Sequence, residues 1–195
     1  MKKVYLLIAL VLIITTAKAQ YIVSTYAGTG TPGLVNGSLV NARFNHSFGM
    51  CRDHSGNIFI ADNGNNCIRK ITIAGVVSTY AGSSVAGYND GVDTVALFNA
   101  PSGVCSDDSG NIYVADFQNQ RIRKITTSGM VSTIAGSGIA GYQDGIGIAA
   151  QFNYPRGICV DANYNLYVGD SSGNRIAWRK ARSLFSTICR LALQL

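Results

Sequence analysis

The stretch FNAPSGVCSDDSGNIYVADFQNQRIRKI, from Phe98 to Ile125, decides the fold because the chain contains three versions of it. One version begins at Phe44 and another at Phe152, so successive copies lie 54 residues apart. The segment VSTYAG, which starts at Val23 and returns at Val77, follows the same interval. A fixed period of this size indicates a solenoid, a propeller or a similar array in which each unit stacks on its neighbours.

Each copy contains four short strand signals. In the middle copy they are GVCSD from Gly103, NIYVAD from Asn111, RIRKI from Arg121 and VSTIAG from Val131. The second signal is apolar at consecutive positions, so we expect both faces of that strand to be covered. A glycine-containing turn, DSGN at Asp108, predicts that the first two strands are antiparallel partners. Four-stranded meanders repeated in this way are typical of propeller blades that pack face to face.

The pattern shared by the copies, F-N-x-P-x-G-I-x-x-D-x-x-G-N-x-Y-V-A-D-x-x-N-x-R-I-R-K-I, resembles the NHL repeat of β-propeller proteins. It is most similar to the long-spaced repeat of secreted bacterial proteins, and the resemblance covers residues 21–176. The resemblance implies an all-β propeller, usually of six blades, whose surface binds proteins, peptides, nucleic acid or small ligands. The family as a whole shares no catalytic motif, so no catalytic residue and no cofactor are implied.

The repeat predicts one NHL β-propeller segment over residues 20–195. Its three four-stranded antiparallel blades are expected at about 45–82, 99–136 and 153–188. Residues 21–28 carry the fourth-strand segment without a preceding unit, and they predict one extra N-terminal outer strand.

Three blades do not specify how the propeller closes into a ring. Propellers close with roughly four to eight blades, so three form an incomplete ring or open arc. The chain is a piece of a longer propeller with further blades, or two copies join as a homodimer into a six-bladed ring, or the open blade faces meet another protein. We favour the first explanation because the third copy loses the pattern in AWRKARSLFSTICRLALQL, from Ala177 onward.

The N-terminal residues predict a cleavable signal peptide over residues 1–19. Two lysines precede an uninterrupted apolar run at residues 4–14, and the small residues Ala17 and Ala19 stand before a cleavage site near Gln20. The run is shorter than the ~18 residues that span a bilayer. We therefore expect a secreted or periplasmic protein with no membrane insertion after cleavage.

The charge of the chain argues against a nucleic-acid partner. The formal net charge is +6, and it falls to about +3 once the three lysines of the signal peptide are removed. The third-strand residues Arg69 and Arg123 are expected to pair with carboxylates such as Asp62 and Asp116, or to protect a sheet edge. Export also makes RNA an unsuitable partner.

The cysteines are predicted to be unpaired. Cys51, Cys105 and Cys159 occupy the same place in three first strands, which favours the role of a small buried apolar residue. Cys67 shares a blade with Cys51, but one strand should separate them by ~9–10 Å, beyond the ~7 Å reach of a disulfide.

Metal-dependent catalysis is the alternative to a binding function. Some lactonases and lyases use propellers with a metal at the channel mouth. This chain has no Glu, and its two histidines, His46 and His54, both lie in the first copy without a suitably spaced ligand partner. We therefore predict no metal, no cofactor and no catalytic residue.

The long links between a fourth strand and the next first strand are the main candidates for a binding surface. Residues 81–103 and 135–157 both contain Gly-Tyr-x-Asp-Gly, and long loops on a rigid scaffold commonly bind ligands. The alternative is structural, since Asp-Gly forms turns and the Phe that follows can fill the core. The prediction is a secreted module that binds or scaffolds a protein, peptide, carbohydrate or other small ligand. The candidate ligand-binding residues are Tyr88, Asp90, Tyr142 and Asp144 in the links, and Asn45, Asn99 and Asn153 before the first strands.

Overall fold

A computed structural model of the chain describes residues 21–179 and 185–188. The predicted signal peptide, residues 1–19, lies outside the described residues. The described residues form three antiparallel sheets and four single-turn 3-10 helices. None of their helices has the length and hydropathy needed to cross a bilayer.

Each sheet is a four-stranded meander, which confirms the predicted all-β blades. The first two sheets gain a fifth strand of two residues at the outer edge. Blade 1 has strands β2 (Ser47–Arg52), β3 (Ile58–Asp62), β4 (Cys67–Ile71) and β5 (Val76–Ala81), with β1 (Gly37–Ser38) beside β5. Blade 2 has β7 (Pro101–Ser106), β8 (Ile112–Asp116), β9 (Arg121–Ile125) and β10 (Met130–Ala135), with β6 (Gly91–Val92) beside β10. Blade 3 has β11 (Pro155–Val160), β12 (Leu166–Asp170), β13 (Arg175–Arg179) and β14 (Phe185–Ile188).

The blades stand side by side as an open arc. The first strands β2, β7 and β11 contact one another across neighbouring blades, so they form the inner wall of the arc. The fourth strands β5, β10 and β14 lie on the outer side of the sheets, where β1 flanks β5 and β6 flanks β10.

The two blade interfaces are apolar and share one design. Phe98 is fully buried in a cluster that joins Ala61 and Ile68 of blade 1 to Val114 and Ile125 of blade 2. Phe152 fills the equivalent place between blades 2 and 3. Blade 2 has a neighbouring blade on both faces, whereas blades 1 and 3 each have one on a single face. Blade 2 therefore has the most completely buried second strand.

The links contain short helical turns before each of these phenylalanines. Asp93–Val95 and Gly147–Ala149 are 3-10 helices, and Ala96 and Ala150 behind them are buried. The link first passes the outer edge of the next blade, where β6 pairs with β10. It then runs inward to the first strand.

One predicted strand is absent from the described residues. Tyr21–Gly28 is not a strand, and Tyr21, Ile22 and Val23 are almost fully exposed. The sequence VSTYA recurs from Val77 and is part of strand β5 there, because β4 supplies a hydrogen-bonding partner. Within residues 21–179 and 185–188 no strand pairs with this segment, so the extra N-terminal strand of the prediction lacks a ladder.

The cysteines are free, as predicted, among the four that the structure describes. Cys105 is buried and Cys51 is half-buried, but Cys159 is exposed. The prediction of burial was wrong for Cys159 because no described sheet covers that side of blade 3. Burial raises the pKa of the Cys51 and Cys67 thiols to about 12, so both are unreactive at neutral pH.

Candidate functional site

The inner rim is the edge of the arc where the first strands begin and the second strands end. Backbone hydrogen bonds of 2.9–3.1 Å tie these two places together in the same way in all three blades. The amides of Gly64, Gln118 and Ser172 donate to the carbonyls of Asn45, Asn99 and Asn153, respectively.

Several positions of the repeat at this rim carry a different residue in every copy, and three of them hold the residues described next. They lie one and three residues after the rim asparagine and at the first residue after the second strand. The residues differ in size and charge, while the scaffold around them repeats. The residue types at these positions are not fixed by the scaffold and can therefore suit a ligand. They are His46, Ala100 and Tyr154; Phe48, Ser102 and Arg156; and Asn63, Phe117 and Ser171.

Four of these residues form what we name the rim cluster: Phe48, Phe117, Tyr154 and Arg156. The Phe117 and Tyr154 ring centroids are 5.0 Å apart. The Arg156 guanidinium carbon lies 5.2 Å from the Phe117 ring centroid and 5.9 Å from that of Phe48. Arg156 is exposed, so its donors face solvent beside an aromatic surface. The cluster combines residues from all three blades.

A groove of about 300 Å³ runs along the inner wall next to the rim cluster. It is lined by first-strand residues of every blade, from Phe48 and Met50 through Val104 to Arg156 and Ile158. The groove gives a ligand at the rim an apolar wall to enter.

The rim backbone is held in an unusual conformation. His46, Ala100 and Tyr154 have φ of 51°, 50° and 58°, in the left-handed region that residues other than Gly seldom adopt. The Tyr154 amide donates to Oε1 of Gln120 at 2.6 Å, and its carbonyl accepts from the Ser171 hydroxyl at 2.9 Å. The tyrosine is therefore fixed by groups of blades 2 and 3.

The candidate asparagines lie at the inner rim, as predicted from their place before the first strands. The amides of Asn45, Asn99 and Asn153 donate to aspartates at the ends of the second strands, at 2.7, 2.9 and 2.6 Å. Their side-chain amides are half-buried and make no hydrogen bond to any residue within 21–179 or 185–188. These side chains can add contacts beside the rim cluster.

The other four candidate residues contact the third and fourth strands instead. The Arg121 guanidinium lies 3.8 Å from the Tyr88 ring centroid, and Asp90 accepts from Arg123 at 2.7 Å. In blade 3, the Tyr142 carbonyl accepts from Arg175 at 2.6 Å, and Asp144 lies 3.6 Å from the same guanidinium. The structure therefore places these two pairs on different blades, where each also has a structural role.

A buried aspartate and arginine anchor each link to its blade. Arg69 pairs with Asp62 at 2.9 Å and Arg123 with Asp116 at 2.7 Å, all four side chains being fully buried. The predicted pairing is confirmed, but these arginines lie inside the blade rather than at an exposed edge. Burial raises the pKa of the Asp116 carboxyl, and the Arg123 charge opposes that rise.

Blade 3 makes the same anchor from a different position. Ala177 stands where Arg69 and Arg123 stand in the other blades. Arg175, two residues earlier, donates from Nε to Asp170 at 2.9 Å instead. Its terminal nitrogens donate to the Tyr142 and Gln151 carbonyls of the link, each at 2.6 Å.

Comparison with known proteins bears on the repeated part of the chain. A family model described as the NHL repeat matches residues 98–125 and 152–178. The chain contains NHL repeats at these two places. NHL repeat-containing protein 2 of Bos taurus is 41% identical over 91 residues, which are 46% of this chain and 12% of that protein. Protein SUPPRESSOR OF QUENCHING 1, chloroplastic, of Arabidopsis thaliana is 37% identical over 93 residues, 47% of this chain and 9% of that protein.

A solved structure supports the propeller architecture of the NHL blades. An auxiliary nutrient binding protein from Bacteroides ovatus aligns with a TM-score of 0.63 and 23% identity. The alignment covers 76% of this chain and 39% of that one. At this identity the likeness shows the fold. Both this structure and the curated relatives are much longer than the part that the present chain matches.

Within the described ranges, no group of three or more His, Cys, Asp or Glu side chains could hold a metal ion.

Proposed function

We propose that this NHL-repeat segment is a binding module whose ligand contacts the rim cluster of Phe48, Phe117, Tyr154 and Arg156. The observation that carries the proposal is the convergence of non-repeated residues. A structural repeat needs the same packing residues in each copy, and several of the positions that depart from the repeat lie together at the inner rim. Their rings and one exposed cation form a surface that the packing of the blades does not require.

The chemistry of the rim cluster favours a ligand with a flat apolar face next to a carboxylate. The rings of Phe117 and Tyr154 offer a surface for stacking. The exposed Arg156 guanidinium can hold a carboxylate through two parallel hydrogen bonds. The asparagine side chains at the same rim supply both donors and acceptors. Sugars with a carboxylate and acidic peptides with an aromatic residue both have this combination.

We further propose that the protein acts outside the cytoplasm and within a larger propeller. The apolar run and the small residues at Ala17 and Ala19 support export. The partner classes remain a protein, a peptide or a carbohydrate, and the rim chemistry favours those that carry an acidic group.

Binding should depend on the rim cluster and not on charge in general. We expect Arg156→Gln and Phe117→Leu each to weaken binding by about 10- to 100-fold, because each loses a charge-assisted hydrogen bond or a stacking surface. The measurement is a screen of acidic oligosaccharides and acidic aromatic peptides, followed by calorimetric titration of the strongest binder.

Arg52→Gln is the matched control, since Arg52 is an exposed arginine outside the rim cluster. It should bind as the parent protein does. Equal loss in Arg52→Gln and Arg156→Gln would show that the interaction is unspecific charge attraction, and it would contradict the proposed site. Unchanged binding in both rim variants would also contradict it.

A further inference from the structure

The interface between blades 1 and 2 shows what covers each kind of blade face. Phe59, Ala61, Ile68 and Ala81 form the face of blade 1 that looks toward blade 2. The opposing face of blade 2 supplies a set of aliphatic residues and Phe98. Its aliphatic members are Val104, Ile112, Val114, Ile125 and Val131.

The same two faces recur at the open ends of the arc without a cover. Met50 of blade 1 is 66% exposed, whereas its equivalent in blade 2, Val104, is 5% exposed. Ile176 of blade 3 is 55% exposed, whereas Ile122 at the same position of blade 2 is fully buried. The blade 1 face also forms an apolar groove of about 320 Å³ beside Tyr26. Each end of the arc is therefore half of an interface that the chain already contains.

A glycine in each first strand points to the same missing contact. A Cβ atom on Gly49 would lie 2.7 Å from the carbonyl of Ser102 in the next blade. A Cβ atom on Gly103 would meet the carbonyl of Arg156 of blade 3. Gly157, the third member, has nothing within 4 Å of such an atom. Close approach of a further first strand would give Gly157 the role that the other two have.

The segment Val23–Gly28 lies where a fourth strand of a further blade belongs. The Gly28 amide donates to the Leu39 carbonyl at 2.8 Å, as Gly82 does to Asp93 and Gly136 to Gly147, both at 3.1 Å. The three glycines share φ of 94–103°. The segment is thus docked against its link like β5 and β10, and it lacks only a third strand beside it.

We propose that a second copy of this chain supplies the missing faces. The exposed face of blade 3 of one copy covers blade 1 of the other, and the reverse contact forms at the same time by two-fold symmetry. The ring then has six blades, within the usual range for propellers. Val23–Gly28 of each copy adds to the outer edge of β13 of its partner.

In this dimer, Val23–Gly28 of the partner replaces β14 as the fourth strand of blade 3. In the single chain, β14 occupies the outer edge of β13. Val23–Gly28 retains the Ala-Gly pair that ends β5 and β10, whereas Cys189 and Arg190 follow β14. Only Gly adopts the φ near 100° of that position without strain.

A second copy is favoured because it carries both faces with the right residues. The interface already present between blades 1 and 2 is the template for the new contact. The inference does not depend on the ligand proposed for the rim.

Sedimentation velocity of the chain without residues 1–19, over a range of concentrations, tests the proposal. We expect a species of twice the chain mass. Met50→Asp and Ile176→Asp should each weaken the dimer at least about tenfold, because each buries an unpaired carboxylate in the new contact. Both residues are exposed in the single chain, so the variants should remain folded by circular dichroism.

Ile139→Asp is the control, since Ile139 is 66% exposed in a link outside both faces. It should dimerise like the parent chain. Hydrogen exchange gives an independent readout, since the amides of residues 23–28 should become protected as the dimer forms. A monomer at every concentration, polydisperse larger species, or a dimer that tolerates both Asp variants would overturn the proposal.

Discussion

Arg69→Ala is expected to lower the free energy of unfolding by about 3–5 kcal/mol, because it leaves a buried carboxylate without its cation. Arg69 donates to Asp62 at 2.9 Å and to the Arg43 and Val35 carbonyls at 2.9 and 3.0 Å. All of these acceptors lose a partner together. Urea unfolding followed by circular dichroism measures the effect, and Arg52→Ala, at an exposed position, should cost less than about 0.5 kcal/mol.

The equivalent change in blade 2 should be milder. Arg121 stands where Arg175 stands in blade 3, so it can turn to Asp116 when Arg123 is lost. In blade 1 that position is Cys67, which has no charge to offer. We expect Arg123→Ala to cost at least about 1 kcal/mol less than Arg69→Ala.

A double-mutant cycle distinguishes two explanations for a small loss in Arg123→Ala: either Arg121 takes over the pairing with Asp116, or the ion pair contributes little to stability. Adding Arg121→Ala to Arg123→Ala should cost more than the two single changes together, since the replacement arginine is then gone. Strict additivity, or an equal loss for Arg69→Ala and Arg123→Ala, would show that Arg121 cannot take over. An Arg69→Ala variant as stable as the parent would contradict the anchoring role itself.

Phe98→Ala should be similarly costly, at about 3–5 kcal/mol, because it opens a cavity between blades 1 and 2. Phe98 is fully buried, and the Arg123 guanidinium lies 5.0 Å from its ring centroid. The loss should uncouple the two blades as well as lower stability. Urea unfolding combined with hydrogen exchange of β5 and β7 measures both effects.

Phe44→Ala is the matched control for the role of the neighbouring blade. Phe44 has the same place in the repeat, and Arg69 lies 5.0 Å from its ring centroid, but its ring is only half-buried. At a concentration where the chain is monomeric, we expect a loss below about 2 kcal/mol. A loss as large as that of Phe98→Ala would contradict the view that the next blade completes each phenylalanine pocket.

The fold was predictable because its information is repeated. One weak strand signal decides little, but GVCSD, NIYVAD and RIRKI recur in fixed order at a fixed spacing, which only a stacked array explains. The buried second strand followed from its consecutive apolar residues.

The errors arose where the environment of a segment depends on its neighbours. The letters VSTYAG occur at residues 23–28 and again at residues 77–82, yet only the second copy, which forms most of β5, has a third strand to pair with. Cys105 and Cys159 are likewise equivalent in sequence, but only Cys105 lies between two blades. A local sequence pattern specifies which strand or buried position a segment can form. Whether it forms depends on the presence of the neighbouring strand or blade.

The rim cluster could not be predicted from the repeat pattern, because that pattern points to residues that recur in every copy. The links share Tyr88 and Tyr142, but the Tyr88 ring lies beside Arg121 and the Tyr142 carbonyl accepts a hydrogen bond from Arg175. The signal for the rim was the opposite one: Phe48, Ser102 and Arg156 occupy one position with three different chemistries. Only the stacking of the blades shows that such positions converge.

The most direct test of the binding site is an amide hydrogen-exchange map with and without the strongest acidic ligand from the screen. The account predicts protection at residues 45–48, 117–120 and 153–156, which together border the inner rim. The same experiment on Arg156→Gln should show little protection there. Protection confined to the outer links at residues 88–90 and 142–144, with the rim unchanged, would contradict a binding site built from the rim cluster.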